Sequence, residues 1–235
     1  MITSRVVRRN FLRGLVLGAA LGLALAGPAS AFSGSLSSAA GGINGTGNWL
    51  WSNSNPTEIE WSVTQSQHGW WTYSYEFSHP RGATSHFILE TSPTFGCDDI
   101  FHAGGDFGSY SVGTYNPGGS NPNMPASVYG IKFNNCWGYT TEISFRSYRG
   151  PVWGDFYAKN GTAGGHGQNS AWNAGFLGAD PNAAAANGSL ANHILVPDTY
   201  NTPAPGPVPE PSSLLLMGSG LFATALVIRR RRNRK

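Results

Sequence analysis

Aromatic and small or polar residues alternate without a break through Trp71-Thr72-Tyr73-Ser74-Tyr75-Glu76-Phe77. A period of two is the repeat of an extended strand, whose successive side chains point to opposite faces, so this stretch can bury its aromatics only as part of a sheet. Thr141-Glu142-Ile143-Ser144-Phe145-Arg146 repeats the pattern with Ile143 and Phe145 inward. Shorter stretches at 58–64, 85–90, 127–133, 152–158 and 193–196 read as further strands, set apart by Gly, Asn and Pro clusters that favour turns. Convincing amphipathic helices are missing; only 180–191, with its run of four alanines, is expected to form a helical turn or two. Seven or more short strands with turns between them predict an all-β fold, an antiparallel β-sandwich that admits a jelly-roll-like arrangement.

This patterned body spans 32–200, and its charge differs from that of the two ends. The whole chain carries a formal +3, which spread evenly would suit a nucleic acid or an anionic membrane. The charges are segregated instead: Arg5, Arg8, Arg9 and Arg13 lie at the start, and Arg229, Arg230, Arg231, Arg232, Arg234 and Lys235 at the end. Between Phe32 and Val208 five cations face eleven carboxylates, a formal charge of −6. That argues against nucleic acid as a partner, because phosphate neutralisation needs a clustered Lys/Arg surface.

The start has the three parts of an export signal. A basic segment over 1–13 precedes an apolar stretch at 14–27, and Pro28-Ala29-Ser30-Ala31 supplies a breaker and a small-residue cleavage site at Ala29 and Ala31. Residues 1–31 are therefore expected to be a signal peptide, with Phe32 as the mature N-terminus. Within it Arg8-Arg9-Asn10-Phe11-Leu12-Arg13 resembles the twin-arginine motif, which implies the Tat translocon as export partner, with the general Sec translocon as the alternative.

At the other end 201–207 is a linker whose Pro203, Pro205 and Pro207 admit neither helix nor sheet ladder. Pro209-Glu210-Pro211 follows, then a transmembrane segment at 213–228 whose last fifteen residues carry no charge, then Arg229, Arg230, Arg231 and Arg232. Fifteen helical residues cover only about 22 Å against a hydrocarbon core of about 30 Å, so the span is a weak anchor. The arginine block keeps its own side cytoplasmic and leaves the body on the other. This order over 208–235 resembles the PEP-CTERM sorting signal, matched at Pro209, Glu210, Pro211, the span and the arginines. The resemblance implies recognition and cleavage by an exosortase after a transiently inner-membrane-anchored stage, delivery to the cell surface or medium, and a setting where extracellular polysaccharide is made. Stretches of the body, among them Val152-Trp153-Gly154-Asp155-Phe156-Tyr157, are similar to a body recurring among PEP-CTERM proteins; no activity is assigned to that group.

The body itself offers little chemistry. Nucleophile-elbow, HExxH, Walker and EF-hand patterns are absent, and six histidines are scattered singly, so no catalytic residue, cofactor or metal is expected. Cys97 and Cys136, an even pair in an exported chain, are expected to form a disulfide. Asp98, Asp99 and Asp106 could hold calcium, but read more simply as a solvated acidic loop. Glu58 and Glu60 share a strand face, whereas glycosidase carboxylates usually flank a cleft from separate elements. Eight tryptophans are the strongest signal; most suit the core, while alternation points Trp70 away from the Trp71, Tyr73 and Tyr75 face and makes it the candidate ligand residue. The expectation is an exported, non-enzymatic protein of the cell surface or biofilm matrix, with exopolysaccharide as its partner. A secreted carbohydrate-active hydrolase or lyase and a purely structural surface protein are the alternatives.

Overall fold

A computed structural model describes residues 30–50, 55–161 and 167–197. The expectations placed on Arg8, Arg9, Ala29, the 201–207 linker, Pro209, Glu210, Pro211, the span at 213–228 and Arg229, Arg230, Arg231 and Arg232 lie outside the described residues. Among the described residues no helix is long and apolar enough to cross a membrane.

The described residues are all-β, and every strand pair among them is antiparallel. Strands β1 (Ala31–Ser37), β3 (Glu58–Gln65), β4 (Trp71–Ser78), β9 (Thr140–Ser147) and β6 (Phe101–Gly105) form one sheet in the order β1-β3-β4-β9-β6. A second sheet has the order β2-β12-β11-β5-β8-β7, built from β2 (Ile43–Gly45), β5 (Thr84–Glu90), β7 (Ser109–Tyr115), β8 (Val128–Asn134), β11 (Phe156–Asn160) and β12 (Ser170–Asn173). The remaining two, β10 (Pro151–Gly154) and β13 (Ile194–Pro197), pair with each other.

Alternation decides which way each strand faces. In the first sheet Val63 pairs with Tyr73 and Tyr73 with Phe145, so these three point inward together, and the Tyr73 and Phe145 rings stack at 5.3 Å. From the second sheet Phe87 meets them: its ring centroid lies 5.8 Å from Phe77 and 6.4 Å from Tyr75, and it stacks on Phe156 at 5.5 Å. Phe133 reaches Phe145 at 5.9 Å. The inner faces of the two sheets thus share one aromatic core, completed by Trp153, Leu195 and Val196 of the small sheet. Burying each such side chain contributes roughly 1.5–3 kcal/mol. A smaller cluster of Ile88, Met124, Val128, Tyr157 and Phe176 lies on the outer side of the second sheet.

Three expectations are corrected. The strand expected over 152–158 is two strands, because Asp155 interrupts the ladder between β10 and β11 and turns its amide to the Glu90 carboxylate at 2.9 Å. No helical turn forms over 180–191. Four alanines are too few to offset helix nucleation, and this segment instead docks on the edge of the first sheet: Asn187 Oδ1 accepts from Ser33 N at 2.9 Å and Gly188 N donates to Ser33 O at 2.8 Å.

The third correction is the disulfide: Cys97 and Cys136 are free thiols. Cys136 follows the C-terminal end of β8, where its amide donates to Ser85 O, and Cys97 lies near the opposite end, where Phe95 O accepts from Tyr129 Oη. Seven strand residues, about 23 Å, separate those ends, whereas a bridge needs Cα atoms within about 7 Å.

Candidate functional site

The outer face of the five-stranded sheet carries the most distinctive surface. Side chains between the buried positions of β3, β4 and β9 point outward, and the register lines them up in rows. One row is Thr64, Thr72 and Arg146; the next is Ser62, Ser74 and Ser144, with Ser74 and Ser144 hydroxyls 3.3 Å apart. The third is Glu60, Glu76 and Glu142, three carboxylates directly opposite one another across three strands. Like charges so placed repel, so this row costs stability without an evident structural return. An open groove of about 520 Å³ runs beside it, lined by Ser33, Ser35, Glu60, Ser62, Ser74 and Glu76. Gly34 opens the way for the Trp61 indole to lie across β1, since a Cβ there would collide with that ring.

At the end of this face sits an aromatic cluster. Trp70 precedes β4; His68 stacks on its indole at 4.9 Å, Phe101 meets it edge-on at 6.3 Å and the Arg146 guanidinium lies over it at 5.6 Å. Phe101 also contacts Tyr148 at 5.2 Å, and Tyr148 is 68% exposed. Trp70 is therefore on the outer side, where alternation put it, but half-buried beneath partners rather than presenting a bare ring. The exposed ring of the cluster is Tyr148, which sequence reasoning did not single out because it lies past the end of β9, outside any alternating run.

The other candidates are separated by the fold. Glu58 and Glu60 share the outer face of β3, but Glu58 pairs with Ser78, so only Glu60 belongs to the carboxylate row. Asp99 is engaged by Arg149 at 3.2 Å and by Gly96 N at 2.9 Å, while Asp106 accepts from Glu142 N at 3.0 Å. These acids do not converge on a common point.

A different set does converge. Asp155, Asp180 and His193 place one donor atom each within 4.8 Å of one another, with Glu90 bonded to the Asp155 backbone. Burial pushes the Glu90 carboxyl up to about 8, and the Asp180 and Asp155 charges add to the shift. Burial also raises Asp155 despite the Asn173 amide and His193 that oppose it. The sequence held no local signal for this set, since its members come from four separate stretches.

No curated protein and no solved structure matches the chain. Residues 207–232 match the family model of the PEP-CTERM protein-sorting motif. The chain thus carries a PEP-CTERM sorting motif, which implies an exosortase-targeted surface protein exported through a membrane-anchored intermediate.

Proposed function

We propose that this is a non-enzymatic matrix protein, processed by an exosortase, whose β-sandwich body associates with exopolysaccharide through the outer face of the five-stranded sheet. The observation that carries this reading is the Trp70, Phe101 and Tyr148 cluster, continuous on one face with rows of hydroxyls. Aromatic faces stack on the apolar faces of sugar rings, and hydroxyls bond the equatorial groups between them. The Glu60, Glu76 and Glu142 row and the body's −6 charge favour neutral or amine-bearing sugars over uronic acids. Tat or Sec delivers the chain across the inner membrane, and removal of the signal leaves Phe32 first.

Retention of the protein on the host's own exopolysaccharide, with glycan arrays to define the sugar, tests the reading. Tyr148→Ala should weaken binding roughly two- to tenfold, since one aromatic contact is worth about 0.5–1.5 kcal/mol. Its exposure means the fold survives, so the loss reads on binding. Absence of retention of the unmodified protein overturns the proposal.

A second reading, a carbohydrate-active hydrolase, is favoured only by Glu60 and Glu76, which stand side by side as register partners and both line the groove. Turnover of exopolysaccharide that disappears in Glu60→Gln would establish it.

A further inference from the structure

At the end of β5 four distant stretches of chain meet. Asp155, between β10 and β11, donates its amide to Glu90 Oε2 at 2.9 Å, and its carbonyl accepts from Glu90 N at 2.9 Å. Asn173, the last residue of β12, aims Asp155: its Nδ2 donates to Asp155 Oδ1 at 2.6 Å and to Asn192 O at 2.9 Å, while its Oδ1 accepts from Phe156 N at 2.9 Å. His193 enters just before β13, after Ala191 and Asn192 in the left-handed region at φ 51° and 62°. Its ring packs against Gly175 so closely that a Cβ there would lie 2.6 Å from His193 Cε1.

The imidazole is 1% exposed, and neither ring nitrogen makes a hydrogen bond. Its Nε2 stands 3.5 Å from Asp155 Oδ1 and 3.5 Å from Asp180 Oδ1. A buried imidazolium salt-bridged to either carboxylate would close to about 2.7–2.9 Å. Instead the nitrogen keeps the same distance from both. The two 3.5 Å separations match edges of a tetrahedron whose centre lies about 2.1 Å from each corner, the length of a zinc–imidazole or zinc–carboxylate bond, and the two carboxylate oxygens stand within 4.8 Å of each other. One imidazole among carboxylates suits zinc and its neighbours in the first transition row; calcium and magnesium prefer oxygen alone. Asp155 and Asp180 bring two carboxylates to one imidazole, and a divalent cation balances their charge.

We propose that His193 through Nε2 and Asp155 and Asp180 through Oδ1 bind one Zn²⁺ ion. Asn173 fixes the orientation of Asp155, as partners behind metal ligands commonly do. With three protein donors and water at the fourth corner, the ion ties the irregular segment carrying Asp180 to β11 and β13, upstream of the Asn187 and Gly188 contacts that hold the same segment to β1. This reading is independent of the polysaccharide face, which lies on the other sheet.

The test uses the untagged full-length protein in detergent, stripped by chelator and then dialysed against micromolar Zn²⁺. Elemental analysis should find one zinc per chain, and the melting temperature of the stripped protein should rise on reloading. Asp180→Asn and His193→Ala should each weaken Zn²⁺ binding at least tenfold. The Asp180 side chain is 41% exposed, so Asp180→Asn should leave the stripped protein's melting temperature unchanged and separates lost binding from lost folding. Zinc bound equally well by both variants overturns the proposal, because the ion then sits elsewhere. So does a stripped wild type that takes up no zinc, or one whose melting responds to Ca²⁺ and not to Zn²⁺.

Discussion

His79 lies stacked against the Trp49 indole at 4.2 Å, flanked by Phe77 and Tyr139, with its Nε2 at 2.8 Å from the Thr84 hydroxyl. No carboxylate is among these neighbours, and burial pulls its pKa down to about 4. His86, on the outer side of β5 near Lys132 and Lys159, is pulled down to about 3, chiefly by burial. Both are neutral in the fold and accept protons more readily once unfolded, near 6.5. Their contribution to stability is therefore complete above about pH 6.5 and is lost as pH falls from there towards 4. For His79 the loss is about 3 kcal/mol by pH 4. Chemical denaturation of wild type and His79→Gln at stepped pH should show the two converging as pH drops from 6.5 to 4. A constant gap would contradict the burial argument. The raised Glu90 acts in the opposite sense, so the difference between the proteins is the quantity to follow.

The cysteines make a second residue-scale prediction. Cys97 is exposed, whereas Cys136 is buried, donates its thiol to Phe133 O at 3.4 Å, and has its pKa pushed up to about 12 by burial. A maleimide should label one thiol in the native protein and two after denaturation. An unlabelled native protein whose mass rises by two hydrogens on reduction would restore the disulfide. Composition could suggest that bridge but not refuse it, because the distance between the two ends of β8 is a property of the sheet.

At the scale of elements, alternation found what alternation can find. β3, β4, β5, β8 and β9 each have one inward face of large apolar residues, and each was legible within a residue or so. β6 and β7 were not: Phe101-His102-Ala103-Gly104-Gly105 and Ser109-Tyr110-Ser111-Val112-Gly113-Thr114-Tyr115 are edge strands rich in Gly and Ser, with partly exposed faces. β12 is four residues long and gains its place only by pairing with β11 and β2. The site was legible to a similar degree. Trp70's direction followed from period two, but its partners His68, Phe101 and Arg146, with Tyr148 behind Phe101, are brought together only by the register of β4, β9 and β6. Packing between the sheets is where most stability should reside. Phe87, fully buried among Tyr75, Phe77 and Phe156, is its centre, and Phe87→Ala should cost about 3–5 kcal/mol in a denaturant titration. A loss under 1 kcal/mol would mean that the two sheets do not depend on this contact.

For the molecule as a whole, one chain is expected to leave the cell shorter at both ends. Intact-mass spectrometry of protein from the native surface or medium should give a species starting at Phe32 and ending near 209–212. A mass that still contains 214–235 would mean an uncleaved anchor. The first of these cuts has a physical obstacle. Strand β1 begins at Ala31, already paired with Thr64, and Gln65 N donates to Ser30 O at 2.8 Å. Phe32 then stacks on Trp71 at 6.1 Å, and Ser33 is clasped by Asn187 and Gly188. A peptidase that reads extended chain must compete with β3 for the same backbone groups. An unfolded substrate offers the bond freely, whereas a folded one exposes it only when the first rungs of the ladder come undone. Export as a finished fold would make leader removal a slow, temperature-sensitive event timed by fraying at this corner, and the body would act as the clock for its own release.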